Sequence, residues 1–210
     1  MAIKSSEFWD RAAPKYSKQP IADTESYSRK LAATQALMKP GMKVLEFGCG
    51  TGSTALEHAP YAAQLVATDV SAVMINIARE KAARLGITNV RFEQSGVEDF
   101  EAQEGSFDMV LALNLLHLLP DLPAALSKIH QLLKPGGFFI SSTVCLSDRM
   151  WFLRPVVPVM QWLGKAPHVT FLSADAVLHK TTRAGFEVRE HWTHGRANSL
   201  FLVAQKKMQD

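Results

Sequence analysis

A glycine-rich loop and an acidic residue downstream of it are the residues of this sequence best suited to chemistry. The loop Gly48-Cys49-Gly50-Thr51-Gly52 follows an apolar run that contains Glu46, and Asp69 comes seventeen residues after the last glycine. Glycines between a strand and a helix permit positive φ angles and let a ligand approach the backbone closely. A carboxylate at the end of the next strand can accept hydrogen bonds from both hydroxyls of a ribose. The pattern predicts a nucleoside site at the carboxyl edge of a sheet; the alternative is a structural turn in an α/β protein that binds another nucleotide.

The elements that would position this loop alternate between strand and helix patterns. Helical periodicity and N-capping residues predict helices over 7–13, 23–39 and 173–184, after Ser71 and Asp121, and in a short stretch before Pro60. Such alternation is typical of a parallel sheet covered on both faces. We therefore predict an α/β fold with a Rossmann-like, doubly wound sheet of seven strands, mostly parallel with one antiparallel strand near the C-terminus. The predicted strands cover 42–47, 64–70, 89–94, 107–113, 138–144, 186–193 and 199–205.

Composition restricts the class of protein. The 210 residues suit one domain, and 47% hydrophobic with 20% charged residues is typical of a globular chain. The net charge of +3 is spread along the chain, which disfavours a nucleic-acid partner.

Two cysteines provide neither a disulfide framework nor zinc-ligand spacing, and we expect no metal site. The first residues lack an apolar leader and the longest apolar run, 109–119, is about half a membrane span, so we expect a cytoplasmic protein without stable membrane insertion.

Further motifs give the glycine loop a family context. A dinucleotide fold normally shows Gly-x-Gly-x-x-Gly, whereas this loop reads Gly-x-Gly-x-Gly and is preceded by the acidic Glu46. Phe-Asp-Met-Val at 107–110 and Leu-Leu-Lys-Pro-Gly-Gly at 132–137 follow in order. Over about residues 40–145 the sequence resembles the class I S-adenosylmethionine-dependent methyltransferases, especially the small-molecule group that includes quinone methyltransferases. The resemblance implies S-adenosylmethionine as the cofactor.

The resemblance also implies which residues hold the methionine and ribose parts of the cofactor. Glu46 would hold the ammonium group of the methionine part, and Asp69 would accept the ribose hydroxyls. The glycine loop would border the methionine part, and residues past the fourth strand and in the N-terminal helices would complete this end. These further binding residues are Gly48, Cys49, Gly50, Gly52, Asn114, Leu115 and Tyr16.

The adenine end departs from the usual family pattern. Val70 and Met74 would lie against the adenine ring, although Met74 is equally well explained as a core residue. Many relatives carry an aspartate after the third strand that accepts the adenine amino group. Here Gly96 aligns with that position, which leaves adenine recognition to the backbone of Val97 or the side chain of Glu98.

The acceptor end has two candidate features. His117 follows the fourth strand at the predicted mouth of the site, where it either faces the acceptor as a general base or simply sits on the loop. Residues 147–172 hold three prolines and many large apolar residues, and we predict an acceptor lid over a mere packing segment or a membrane-surface contact. The single domain, 1–210, would then comprise a helical cap (1–40), a cofactor core (41–146), this lid, and a C-terminal helix and strand pair (173–210).

The resulting functional prediction is methyl transfer from S-adenosylmethionine to a small, partly apolar acceptor. Neither the accepting atom nor the oligomeric state follows from the sequence. The alternatives are a nucleic-acid or protein methyltransferase, an NAD-dependent oxidoreductase, and a non-catalytic S-adenosylmethionine-binding protein. Asn-Leu-Leu-His at 114–117 lacks the Asn-Pro-Pro-Tyr motif of base-modifying enzymes, and the glycine spacing disfavours NAD.

Overall fold

One seven-stranded sheet organises the chain in the computed structural model, which describes residues 5–195 and 198–208. The order along the sheet is β3-β2-β1-β4-β5-β7-β6. All neighbouring strands run parallel except β7, which is antiparallel to both β5 and β6. The predicted fold class is therefore confirmed. The strands are β1 (Lys43–Phe47), β2 (Gln64–Asp69), β3 (Val90–Gln94), β4 (Phe107–Leu113), β5 (Leu133–Thr143), β6 (Phe186–His194) and β7 (Ser199–Lys206).

Helices cover both faces of this sheet. Neighbouring residues of β1 point to opposite faces, so Val44 and Leu45 belong to two separate hydrophobic clusters. The Leu45 cluster takes in α5 and α8, and the Val44 cluster takes in α3 and α4. A sheet that is buried on both faces explains the nearly continuous apolar runs of its central strands. The helices are α1 (Ser5–Tyr16), α2 (Thr24–Gln35), α3 (Ser53–His58), α4 (Ala72–Leu85), α5 (Leu122–Leu132), α6 (Leu146–Arg149), α7 (Val156–Trp162) and α8 (Ala174–Arg183).

Several element boundaries differ from the prediction. β5 begins at Leu133, five residues before the predicted start, because Leu133 pairs with Phe107 ahead of an irregularity that contains the Lys-Pro-Gly-Gly turn. α2 ends at Gln35 and not at residue 39. The segment predicted as an irregular lid contains the short helices α6 and α7 joined by a 3₁₀ turn.

The sheet reverses its order next to β1. β1 pairs with β2 on one side and with β4 on the other, so the connections that leave β1 and β4 diverge. In an open α/β sheet such a reversal creates a crevice at the carboxyl ends of the strands, where ligands bind. The glycine loop leaves β1 at this point, and Asp69 ends the adjacent β2.

Candidate cofactor and acceptor site

A cavity of about 460 Å³ lies at the carboxyl ends of β1, β2 and β4. Most of the residues predicted to bind the cofactor line it, although Gly52 does not. His117, the candidate general base, does not line it either. The predicted residues on its wall are Tyr16, Glu46, Gly48, Cys49, Gly50, Asp69, Val70, Met74, Gly96, Val97, Glu98, Asn114 and Leu115. The structure thus brings these residues together at one cavity.

Two glycines of the loop serve different purposes. Gly48 (φ 66°) lies so close to Leu115 that an added Cβ would come within 2.8 Å of a Leu115 methyl group. This close approach keeps the cavity floor open between the loop and the end of β4. Gly52 (φ 75°) instead packs on the opposite side, where an added Cβ would lie 2.7 Å from the Cβ of Ala78. Gly52 thus lets the loop approach α4, which is a packing role.

Asp69 is oriented by the backbone before any ligand binds. The N–H of Gly50 donates to its Oδ2 at 2.9 Å, and the N–H of Ser71 donates to its Oδ1 at 2.9 Å. Burial raises the pKa of this carboxyl, while the two backbone N–H groups oppose that shift. Because each carboxylate oxygen accepts more than one hydrogen bond, both oxygens retain acceptor capacity toward the cavity. This arrangement suits a vicinal diol such as that of a ribose.

The charged form of Glu46 is destabilised by its surroundings in the cavity wall. The residue is only 2% exposed, and its Oε2 has no hydrogen-bond partner within the described part of the chain. Burial, and secondly the nearby charge of Asp69, raise the pKa of Glu46 to about 8. A buried carboxyl with an unsatisfied oxygen is costly unless a ligand provides a donor. The ammonium group of an amino acid fits this requirement.

The first helix closes one side of the cavity and is tied to the sheet by a carboxylate. Trp9 and Tyr16 of α1 line the wall. Between them, Asp10 accepts hydrogen bonds from Ser71 Oγ at 2.6 Å and from the backbone N–H of Val73 at 3.2 Å. An acid at this position caps the N-terminus of α4 and interacts favourably with its dipole. This role of Asp10 was not predictable from the sequence, because its partners lie about sixty residues away along the chain.

The part of the cavity predicted to hold adenine contains an acid, Asp99, that was not among the predicted site residues. Glu98 and Asp99 both line the cavity beside Gly96 and Val97. A Cβ added to Gly96 would lie 3.6 Å from Oδ2 of Asp99. The carboxylate missing at position 96 is thus available three residues later. Asp99 could have been identified from the sequence, because it lies in the stretch that follows β3.

The histidine at the cavity is His168 and not His117. The ring of His117 is largely buried outside the cavity wall, and burial lowers its pKa to about 4. The backbone carbonyl of His117 accepts a hydrogen bond from the N–H of Thr170 at 2.7 Å. This contact folds residues 168–170 back against the loop after β4, and it brings His168 to the mouth of the cavity.

The hydrogen bonds of Thr170 define which nitrogen of His168 carries the proton in the neutral ring. Thr170 Oγ1 donates its only hydrogen to the carbonyl oxygen of Leu119 at 3.1 Å. The same oxygen lies 3.2 Å from Nε2 of His168, so it must accept that hydrogen bond. Nε2 therefore bears the hydrogen, and Nδ1 keeps a free lone pair.

The segment predicted as a lid contributes little to this wall. Of residues 147–172, only His168 lines the cavity. Trp151 and Trp162 are 65% and 75% exposed, respectively. The exposed large apolar residues of the segment do not line the cavity.

Comparison with known proteins places the chain in a family. The profile of a family described as a methyltransferase domain matches residues 38–191. The chain is 29% identical over 156 residues to the ubiquinone biosynthesis O-methyltransferase of Acinetobacter baylyi; the match covers 71% of this chain and 65% of that relative. The chain thus spans slightly less than two thirds of the length of this relative.

Solved structures share the fold at low sequence identity. The YcgJ protein of Bacillus subtilis superimposes with a TM-score of 0.73 at 17% identity, over 87% of this chain and 100% of that one. The (4+2)-cyclase SpnF superimposes with a TM-score of 0.71 at 20% identity, over 88% of this chain and 81% of that one. The family match covers most of the chain and includes the glycine loop, Glu46 and Asp69. The chain therefore belongs to the methyltransferase-domain family, as a class I, S-adenosylmethionine-dependent member.

Proposed function

We propose that this protein transfers a methyl group from S-adenosylmethionine to a small, partly apolar acceptor. The observation that carries the proposal is the pair of acids on the cavity wall. Asp69 is held by two backbone N–H groups in an orientation that suits a diol, and Glu46 is buried with one oxygen unpartnered. A ligand with a ribose and an ammonium group satisfies both. A dinucleotide such as NAD has ribose hydroxyls for Asp69 but no ammonium group for the unpartnered oxygen of Glu46.

The residues of this chain contribute binding, orientation and exclusion of water. S-adenosylmethionine supplies an electrophilic methyl group on a sulfonium, for which a thioether is a good leaving group. Glu46 holds its aminoacyl part, and Asp69 holds its ribose. Asn114 and Leu115 border the space between the loop and the acceptor. Trp9 of α1 limits access of water from the other side. Positioning and desolvation of this kind can supply much of the rate acceleration.

The acceptor would occupy the part of the cavity near His168. Leu118, Leu119 and Pro120 form an apolar wall there, and His168 is the neighbouring group able to take up a proton. S-adenosylmethionine would supply its methyl group to a lone pair of the acceptor, and the thioether would leave with the electrons of the carbon–sulfur bond. An acceptor O–H or N–H then passes its proton to Nδ1 of His168. The relative named for ubiquinone biosynthesis acts, by that name, in the synthesis of a small apolar molecule, which supports this acceptor class.

Binding and turnover test the two halves of the proposal. Calorimetry should detect binding of S-adenosylmethionine and of its demethylated product S-adenosylhomocysteine, but not of NAD. A screen of phenols and amines with apolar substituents, using S-adenosylmethionine labelled in its methyl group, should then identify the acceptor class. Tight binding of NAD, with no binding of S-adenosylhomocysteine, would overturn the cofactor assignment. Binding without transfer to any acceptor class would favour a non-catalytic S-adenosylmethionine-binding protein.

Two histidine variants test the base. We expect His168→Ala to lower kcat by about a hundredfold or more with little change in the acceptor KM, and added imidazole should restore part of the rate. Thr170→Val should lower kcat with little change in the acceptor KM, because it removes the acceptor that fixes the ring. His117→Ala is the matched control, and we expect its kcat to stay within about threefold of the wild type. If His117→Ala loses the rate and His168→Ala retains it, the base is His117 as the sequence alone suggested.

A further inference from the structure

The helical turns that follow α6 expose an unusual number of large apolar side chains. We call residues 149–165 the outer segment. Seven of the twelve large apolar residues that are exposed in the described part of the chain belong to it. Neither of its tryptophans lines the cavity. The seven are Trp151, Phe152, Val156, Val159, Met160, Trp162 and Leu163.

The polarity of α7 is the reverse of that of an ordinary surface helix. Gln161, its one polar residue with hydrogen-bonding side-chain groups, turns toward the protein and donates from Nε2 to the carbonyl of Pro167 at 2.8 Å. Val159, Met160 and Trp162 face outward. A helix on a water-exposed surface normally buries its apolar side chains and exposes its polar ones. The outward face of α7 is therefore suited to an apolar or interfacial environment.

Basic side chains accompany the exposed apolar ones. Arg149, Arg154 and Lys165 are exposed in the outer segment, which contains no acidic residue. The nearest acid, Asp148, directs Oδ2 to the backbone N–H of Ala174 at 3.1 Å and to Nδ2 of Asn198 at 2.8 Å. Arg154 also donates from Nη2 to Ser147 Oγ at 3.3 Å. The three cations outnumber this one neighbouring acid, so the segment presents tryptophans and aliphatic side chains together with net positive charge. This combination complements a bilayer surface with anionic headgroups.

We propose that the outer segment binds peripherally to the surface of an anionic lipid bilayer. The tryptophans and aliphatic side chains would enter the headgroup region, while the three basic residues would contact the phosphates. No helix in residues 5–195 or 198–208 is long and apolar enough to cross a membrane. The hydrogen bond from Gln161 to Pro167 connects the outer segment to His168 at the cavity mouth. An apolar acceptor in the bilayer would then have a short path to the cavity, and only this consequence rests on the proposed function.

Sedimentation with vesicles tests the contact without any acceptor. The wild-type protein should bind phosphatidylcholine vesicles that contain phosphatidylglycerol, and bind pure phosphatidylcholine vesicles much less. The tryptophan emission should shift to shorter wavelength on binding. Trp151→Ser combined with Trp162→Ser should weaken binding about tenfold or more. Leu85→Ser is the matched control, since Leu85 is 64% exposed on α4, outside the outer segment, and its loss should leave binding unchanged.

Charge variants and solution measurements complete the test. Arg149→Gln combined with Lys165→Gln should lower binding to the anionic vesicles by about tenfold or more, since each basic residue near such a surface contributes about fivefold. Lys39→Gln should have no such effect. Calorimetry with S-adenosylhomocysteine verifies that every variant is folded, and failure of methyl transfer would not alter the sedimentation result. Absence of binding to anionic vesicles, or binding insensitive to the tryptophan pair, would overturn the proposal. A concentration-dependent dimer that the tryptophan variant abolishes, without vesicle binding, would instead assign the surface to a second copy of the chain.

Discussion

Binding of S-adenosylhomocysteine should become tighter as the pH rises from about 6 to about 8, because Glu46 must lose a proton to hold an ammonium group. Burial raises the pKa of Glu46 to about 8 in the free protein. A bound ammonium group would favour the charged carboxylate and lower this pKa. The complex then carries fewer protons than the free protein, so a higher pH favours the complex.

The size of the effect follows from the ionised fraction of Glu46 in the free protein. With a pKa of about 8 that fraction is about one hundredth at pH 6, about one eleventh at pH 7 and about one half at pH 8. If the pKa in the complex lies well below 6, the affinity should rise about tenfold over the first pH unit and about fivefold over the second. Near pH 7, binding should release about nine tenths of a proton per ligand.

Calorimetry in buffers of different ionisation enthalpy measures both the affinity and the released protons. Glu46→Gln should bind S-adenosylhomocysteine more weakly than the wild type at pH 8, with almost no pH dependence. The ligand control is methylthioadenosine, which has the nucleoside and thioether but no ammonium group. Its affinity for the wild type should vary little over the same range. The reasoning is refuted if S-adenosylhomocysteine binds equally well at pH 6 and pH 8, or if methylthioadenosine shows the same pH dependence.

Three further changes test other parts of the site. Asp69→Ala should weaken S-adenosylhomocysteine binding about tenfold to a hundredfold, since hydrogen bonds to a charged group contribute about 1.5–3 kcal/mol each. An affinity, measured by calorimetry, within about twofold of that of the wild type would contradict the ribose role. Gly52→Ala should lower the free energy of unfolding in urea by about 2 kcal/mol or more, because the new Cβ meets Ala78. Gly86→Ala, also at positive φ but with no neighbour within 4 Å, should cost only about 1 kcal/mol, and equal losses would argue against the packing role of Gly52. Asp10→Ala should release α1 from α4, which limited proteolysis within residues 5–16 would detect as faster cleavage.

The fold, and the meeting of the glycine loop and Asp69 at one cavity, were predictable from the sequence because their signals are local. The loop after β1 and the acid at the end of β2 lie within about two dozen residues, and a parallel sheet brings the carboxyl ends of adjacent strands together. The periodicity of each element likewise depends on neighbours along the chain. Element boundaries were less accurate, as in β5, where a pairing between Leu133 and Phe107 extends the strand ahead of a glycine turn.

The part of the cavity wall that contains His168 was not predictable in the same way, because distant contacts determine it. His117 follows β4 directly, and its position in the sequence made it the natural candidate. His168 reaches the cavity only because the backbone of Thr170 bonds to His117 and its hydroxyl bonds to Leu119, contacts that span about fifty residues. The outer segment shows the same limitation. Its composition suggested a lid, whereas the direction in which its side chains face depends on how the chain returns to the sheet.

The two acids of the cavity should also divide the work of selecting a ligand. Asp69 is already hydrogen-bonded and oriented, so any adenosine derivative gains from its contact with the ribose. Glu46 distinguishes among these derivatives only when it is ionised. At a pH well below 8 a nucleoside without an ammonium group leaves Glu46 protonated, and a neutral buried carboxyl costs far less than a charged one. As the pH approaches 8, a larger fraction of Glu46 is charged, and a ligand that carries the cation gains from it. Selectivity for the aminoacyl part of the cofactor should therefore increase with pH, while affinity for the nucleoside part stays nearly constant.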